Sequence, residues 1–424
     1  MKDKIAIVVQ RYGLEINGGA ELHARLLAEK LSNMYDVEVI TTRAIEYEFW
    51  DNHYPDGVEV INDIKVRRFK TLKKDLKKFN QLNKNVRKLY KYYNRKLSFF
   101  NFPYLLYKRI RYNKKAFNFN EWLEVQGPFS KGLINFIKEK KGDYKAFIFF
   151  TYLYHPTNIG IREAAEKSIL VPTAHDEPQF YLDGYAQLFS SPKFIMYNTQ
   201  AEKDFVEKVY PQTKKIKSEI AGIGFDDYSI AADKLPEYLS QKKYFVYIGR
   251  IVEEKGCIMM IEYFRDFKKT HPEYQEIKLV LVGKNSLEEK LTHGDDIILT
   301  GFVDDTLKNT LLTNACGLIM PSFYESLSLI TLEAMLLKIP VIVNRNCKVL
   351  YSHIENSETG KSFTDNAEFS EALIFYIKQT QNDLVSEGNK AKDYVLKNYS
   401  WATVINKYNS AIESLKDKKN SIFS

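Results

Sequence analysis

Along the chain, short unbroken apolar runs rich in Val, Ile and Phe alternate with segments whose apolar residues recur every three or four positions. The runs suit strands buried on both faces, and the periodic segments suit helices with one apolar stripe. Their alternation predicts an α/β fold of doubly wound parallel sheets. In the first half the candidate strands are residues 4–9, 37–42, 58–61, 144–150, 169–173 and 194–198. A second series occupies 244–248, 278–282, 297–299, 317–320 and 340–343. The stretch between them is polar, contains Pro236 and lacks a strand pattern. This predicts a first domain over 1–226, a linker over 227–243 and a second domain over 244–400. The closing segment, 401–424, spaces Val404, Ile405, Tyr408, Ile412 and Leu415 as one helix. No repeat of 20–50 residues appears, which excludes solenoids and propellers.

Length supports the two series, because 424 residues exceed the ~250–300 at which one hydrophobic core stops growing. Cys257, Cys316 and Cys347 form no Cys-x-x-Cys pair and adjoin no His cluster, which excludes a disulfide scaffold or a zinc ribbon. The N-terminus offers only five apolar residues at 5–9, too few for the core of a signal peptide. No apolar run reaches the ~18 residues that cross a bilayer. A reducing, cytoplasmic setting is therefore expected.

Charge changes the picture locally. Residues 65–115 hold 19 Lys and Arg against one acid, Asp75, a charge of +18 in a chain whose net charge is +8. The remainder carries about −10. Phe79, Tyr90, Tyr92, Tyr93 and further aromatics as far as Tyr112 thread this stretch, and Leu72, Leu76, Phe79, Leu82, Val86, Leu89 and Tyr93 fall at helical spacing. The pattern predicts a basic helical insertion in the first domain. It serves either to dock on an anionic membrane surface, at roughly 1 kcal/mol per basic residue, or as a solvated face. No nucleic-acid module accompanies it, so no nucleic-acid partner is expected.

Four constellations carry candidate chemistry. After the first strand, Gly18 and Gly19 open a helix, where small residues admit a ligand to the backbone and helix N–H groups face it. The spacing fails the Gly-x-Gly-x-x-Gly dinucleotide fingerprint. The strand at 244–248 runs into Gly249-Arg250 and, beyond, Lys255-Gly256, placing two cations at a strand's carboxyl end, where open α/β sheets bind ligands. The segment Glu325-Ser326-Leu327-Ser328 leads into a helix carrying Glu333. At ~1.5 Å per residue the two carboxylates lie within ~12 Å, about the reach of a diphosphate with a sugar at each end. Finally, His175 and Asp176 follow the strand at 169–173. No Asp-x-Asp pair stands at a strand end, and Asp295-Asp296 and Asp304-Asp305 read as turn residues, so no metal and no cofactor are expected.

Taken together these residues resemble the retaining nucleotide-sugar glycosyltransferases of the GT-B fold, family 4 type, which include bacterial capsule and O-antigen enzymes. The resemblance rests on Gly18-Gly19-Ala20-Glu21, His175-Asp176, Asn198-Thr199, Gly222-Ile223-Gly224-Phe225-Asp226, Gly249-Arg250 with Lys255-Gly256, and the pair Glu325 and Glu333. It implies two facing Rossmann-like domains, with the last helix crossing back to the first. Glu325 would bind the donor sugar, Glu333 the ribose, and Arg250 and Lys255 the diphosphate. Ser326, Leu327 and Ser328 would complete the donor site, Gly18 and Gly19 would line the cleft from the acceptor side, and His175 would touch the transferred sugar. The family often has Gly or Pro where Ser326 and Ser328 stand, which leaves the donor geometry less defined. The implied reaction is metal-independent hexosyl transfer from a nucleoside-diphosphate sugar to a glycan acceptor, lipid-linked in surface polysaccharide synthesis, with catalytic roles for His175, Glu325, Arg250 and Lys255. A nucleotide-sugar epimerase, a soluble glycan synthase and a non-catalytic membrane-bound scaffold remain alternatives.

Overall fold

The computed structural model describes residues 2–16, 18–93, 117–227, 234–240, 242–287 and 296–415. The chain divides into two compact units, one running to Gly224 and resuming at Val404, the other Phe225–Thr403. Each is built on one sheet.

The first unit's sheet comprises β1 (Lys4–Val8), β2 (Asp36–Thr42), β3 (Gly57–Ile61), β4 (Ile64–Phe69), β5 (Ala146–Phe150), β6 (Ser168–Val171), β7 (Phe194–Tyr197) and β8 (Lys217–Ile220), ordered β3-β4-β2-β1-β5-β6-β7-β8. All neighbours are parallel except β3 and β4. Those two form a hairpin whose turn residues, Asn62 and Asp63, both take positive φ (48° and 62°), the conformation that matches strand twist. Central strands such as Ala-Phe-Ile-Phe-Phe in β5 are wholly buried, which is why they read as continuous apolar runs. Helices α1 (Gly19–Leu31), α2 (Leu76–Tyr93), α3 (Phe119–Gln126), α4 (Lys131–Lys140), α5 (His155–Glu163), α6 (Tyr185–Leu188) and α7 (Gln200–Val209) belong to this unit.

The second unit's sheet is entirely parallel: β9 (Tyr244–Ile248), β10 (Lys278–Val282), β11 (Ile297–Gly301), β12 (Gly317–Met320), β13 (Val341–Asn344) and β14 (Lys361–Phe363), ordered β11-β10-β9-β12-β13-β14. Its helices are α8 (Cys257–Thr270), α9 (Asp305–Thr313), α10 (Leu329–Leu336), α11 (Lys348–Ser357), α12 (Asn366–Lys378) and α13 (Gln381–Tyr399). Phe225 exchanges backbone hydrogen bonds with Tyr399 and Trp401, so this unit's two chain ends leave side by side. The last helix, α14 (Trp401–Ser414), buries Val404, Tyr408, Ala411 and Ile412, and its Glu413 accepts from Lys145 of the first unit, to which Val404 onward belongs.

Two boundaries differ from the sequence reading. Residues 65–69 are strand, paired with both β2 and β3, so the basic insertion begins after Phe69 and not at Lys65. The expected linker, 227–243, falls inside the second unit, where Leu239 is buried and Asp227 pairs with Lys392. Asp304 caps α9 by accepting from Leu307 N–H, and Asp296 pairs with Lys278; Asp295 lies outside the described residues. Within the insertion, α2 docks on its own unit. Val86 is buried with Trp122 and Leu123, Leu82 packs beside them, and Asn83 accepts from the Trp122 indole at 3.3 Å. Residues 94–116, with Phe99, Phe100, Phe102, Tyr104, Tyr107 and Tyr112, lie outside the described residues. Among the described residues no helix is long and apolar enough to cross a membrane.

Candidate functional site

The order of the second sheet reverses at β9, whose chain continues to β10 on one side while β12 pairs on the other. Loops leaving the carboxyl ends of strands diverge at such a reversal and open a crevice. The β9 loop supplies Gly249, Arg250 and Lys255; the β12 loop supplies Glu325. Lys255 Nζ meets Glu325 Oε1 at 2.6 Å, joining the two loops across the reversal, with both side chains partly exposed (27% and 14%). Glycines permit the approach. Gly256 (φ 74°) opens α8 where a Cβ would collide with the Pro321 carbonyl, and Gly283 (φ 137°) follows β10 where a Cβ would collide with that of Gly249. The exposed Arg250 leaves the same strand end, its carbonyl accepting from the buried Tyr247 hydroxyl at 2.8 Å.

Ser326, Leu327 and Ser328 continue from Glu325 into α10. Ser328 is the helix N-cap but lies in the left-handed region (φ 64°, ψ 77°), a conformation that glycine adopts more readily. It persists because the turn is tied on each side. Ser328 Oγ lies 2.8 Å from Thr331 Oγ1, and the Ser328 carbonyl accepts from Thr331 N–H. The Leu327 carbonyl is 2.9 Å from His353 Nε2, and His353 Nδ1 is 3.0 Å from the Tyr394 hydroxyl. Burial lowers the His353 pKa to about 4, so the ring is neutral. A carbonyl only accepts, which fixes the proton on Nε2 and makes Tyr394 the donor to Nδ1. One turn into α10, Glu333 Oε2 lies 3.4 Å from Lys308 Nζ of α9. Burial raises the Glu333 carboxyl above its ordinary range, with Lys308 opposing the rise.

In the first unit, sheet order reverses between β1 and β5. Gly19 opens α1 beside open space: a Cβ there would meet nothing within 4 Å, whereas the corresponding space at Gly18 is filled by the Glu21 carboxylate. Glu21 is buried and accepts from Gln10 Nε2 (2.9 Å) and Arg11 Nε (2.9 Å), two residues just beyond β1. This carboxylate thus anchors the Gly-Gly turn. His175 sits in the loop after β6, partly exposed, with Nε2 3.6 Å from Glu177 Oε2. That loop and the turn after β7 are tied by Glu202, whose carboxylate oxygens accept from Ala174 N–H and Asn198 N–H, each at 2.6 Å. Burial drives the Glu202 pKa up to about 8, against these hydrogen bonds, which lower it.

The structure thus brings Lys255 and Glu325 into contact, sets Arg250 on the same strand end, and carries Ser326, Leu327, Ser328 and Glu333 on one loop and helix. Gly18, Gly19 and His175 stand at carboxyl ends of first-unit strands. Sequence reading missed Lys308, His353, Tyr394 and Arg11, whose partners are 10 to 41 positions away and leave no local pattern. Glu202 had a signal: Thr199-x-x-Glu202 is a helix-start pattern, and Thr199 Oγ1 does accept from Glu202 N–H at 3.0 Å. Among the described residues no three His, Cys, Asp or Glu side chains cluster as metal ligands.

Residues 233–400 match the family described as glycosyl transferases group 1. An uncharacterized glycosyltransferase of Methanocaldococcus jannaschii is 24% identical over 55% of this chain and 62% of its own length. The capsular polysaccharide biosynthesis glycosyltransferase CapM of Staphylococcus aureus is 28% identical over 33% of this chain and 38% of its own. The chain therefore spans less than two thirds of either relative. Among solved structures, Anabaena HepE in complex with UDP and glucose superposes with a TM-score of 0.64 at 14% identity, covering 97% of this chain and 100% of that one. The chain has the two-domain α/β fold of the GT-B glycosyltransferases, and its residues 233–400 match their group 1 family.

Proposed function

We propose that the protein is a retaining hexosyltransferase that moves a sugar from a nucleoside-diphosphate donor to a hydroxyl of a glycan acceptor, lipid-linked in bacterial surface polysaccharide synthesis. The observation that carries the reading is the Lys255–Glu325 contact across the β9/β12 reversal, inside the segment that matches group 1 glycosyl transferases. Lys255 and Arg250 supply positive charge for the diphosphate. Glu325 offers acceptor oxygens to sugar hydroxyls and Glu333 to ribose hydroxyls. Support for the donor class comes from HepE, whose structure holds UDP and glucose, and for the acceptor class from CapM, a capsular polysaccharide enzyme.

The bond from the anomeric carbon to the diphosphate oxygen breaks, the acceptor oxygen bonds to that carbon, and the acceptor's proton passes to the leaving phosphate. Negative charge grows on that phosphate, so cations and N–H groups already aimed at it lower the barrier. Arg250, Lys255 and the α10 N-terminus fill this role without a metal or a cofactor. His175 positions the sugar, and Gly19, beside open space, admits the substrate to the backbone, while Gly18 makes room for the Glu21 carboxylate that anchors the turn. The exposed basic face of α2 is the proposed contact with an anionic membrane surface.

A panel of nucleotide sugars, assayed for nucleoside diphosphate release with and without glycan acceptor, tests the proposal. Acceptor-dependent release that is lost in Glu325→Gln and Glu333→Gln is expected. Epimerised free sugar, or product without a lipid acceptor, would point to an epimerase or a soluble synthase. A biological effect untouched by both substitutions would point to a scaffold.

A further inference from the structure

We propose that His353 is a positioning residue: by donating Nε2–H to the Leu327 carbonyl it turns the Leu327–Ser328 peptide so that the Ser328 N–H serves the donor's diphosphate. The inference rests on the donor-site reading above and assigns the device that orients its loop.

The argument starts from a conflict at the head of α10. In an ordinary helix start the carbonyl before the N-cap has no helical partner and is solvated, or is paired by chance. Here the left-handed Ser328 rotates that carbonyl away from the helix, where Leu327 and Ser328 are both buried and water is excluded. A buried carbonyl without a donor is destabilising, and a non-glycine residue in this region adds to the cost. The conformation is stable only if the carbonyl is paired, and the pair is His353 Nε2 at 2.9 Å. The ring is in turn fixed. It is fully buried on α11, packs edge-on against Tyr394 and Tyr399 of α13, and takes the Tyr394 hydroxyl on Nδ1. Three helices therefore converge on one peptide.

A trans peptide is planar, so its C=O and N–H point in opposite directions. Holding the carbonyl against α11 aims the Ser328 N–H away from α11. That N–H has no acceptor among the described residues. It stands at the start of an eight-residue helix, three residues beyond the Glu325 that meets Lys255. With the N–H groups of the first turn it forms an anion-facing edge, and losing its orientation weakens the grip on a phosphate whose charge is growing.

The test compares His353→Leu, which fills the space without a donor, with His353→Gln, whose amide N–H reaches toward the same carbonyl, and Tyr394→Phe. Binding of UDP, GDP and ADP is measured by calorimetry, and kcat and KM with whichever nucleotide sugar turns over. The expected result is a ~10–100-fold loss of diphosphate affinity and of kcat in His353→Leu, the size of one lost hydrogen bond to a charged group, with substantial recovery in His353→Gln at equal thermal stability. Equal behaviour of the Leu and Gln variants would overturn the role, as would a His353→Leu enzyme with wild-type kcat. Should His353→Leu fail to fold, ¹⁵N NMR of the wild-type ring decides. A neutral Nε2–H tautomer at pH 7 supports the assignment; a ring protonated on Nδ1 alone, or titrating near pH 6.5, ends it. Glu325→Gln and Glu333→Gln keep the two readings apart. If these leave turnover intact the donor-site reading fails, whereas if they abolish it and His353→Leu does not, only the positioning role fails.

Discussion

Glu325 and Lys255 hold each other at 2.6 Å, so each substitution disturbs the other's charge as well as its own contact. Lys255→Ala should lower kcat by ~10²–10³, the range found when one preorganised group aimed at developing charge is removed. Because both side chains are partly exposed, stability should shift little, and an unfolding curve beside the turnover assay checks that the loss is one of chemistry. Gly19→Ala makes the complementary test. A Cβ meets nothing within 4 Å, so the fold should hold or gain ~0.4–1 kcal/mol, while a substrate that approaches this backbone is pushed back and transfer falls. Undiminished transfer would remove Gly19 from the site. Glu202 gives a pH prediction. Its folded pKa, raised by burial to about 8, lies above the ordinary carboxyl value of 4.5, so the folded state binds the extra proton. The stability it contributes is complete below pH ~4.5 and is lost as pH rises to ~8, at up to ~1.4 kcal/mol per pH unit. Urea midpoints at pH 5, 6.5 and 8 should fall more steeply with pH in the wild type than in Glu202→Gln. Parallel lines would contradict the assignment.

At the scale of elements, what the sequence disclosed follows from where burial is complete. β9, β10 and β12 are covered on both faces, so an unbroken apolar run gave each its bounds. β4, β8 and β14 did not show, because polar residues break each apolar run: Lys65, Arg67 and Arg68 in β4, Lys217 and Glu219 in β8, and Lys361 and Ser362 in β14. Lys65 and Arg67 point outward on β4, while Arg68 is buried against the Tyr54 ring and pairs with Glu59. Three basic residues of a strand were therefore absorbed into the basic segment. The site divides in the same way. Glu325 and Glu333 were legible since one loop and one helix carry both, whereas Lys308 and His353 reach that helix from α9 and α11, contacts set by tertiary packing alone. The glycine contacts that let the strand ends close carry their own prediction. Gly283→Ala combines a disfavoured φ of 137° with a backbone collision at Gly249, and should destabilise the second unit by ~3 kcal/mol or more, read from denaturant unfolding.

Over the whole molecule the dominant asymmetry is electrostatic. With Lys65, Arg67 and Arg68 assigned to β4, the basic segment still carries +15 against a chain total of +8. The docking of α2 decides how this charge can act. Its apolar positions Leu82 and Val86 face the core, so the described part of the helix has no stripe left to insert into lipid, and Lys77, Lys84 and Arg87 are exposed. Attachment through this face is then Coulombic. It should appear with vesicles containing anionic lipid at ~0.05 M salt, be absent with neutral lipid, and vanish near ~0.5 M, where the screening length drops to a few ångströms. Replacing the three residues by Glu reverses contributions of roughly 1 kcal/mol each, and should abolish pelleting while leaving nucleotide affinity unchanged, since none of them lies in the second unit. Sedimentation with vesicles across a salt series reads both effects. Pelleting that survives ~0.5 M salt would require an apolar contribution that the docked face of α2 does not supply, and would refute a purely Coulombic contact.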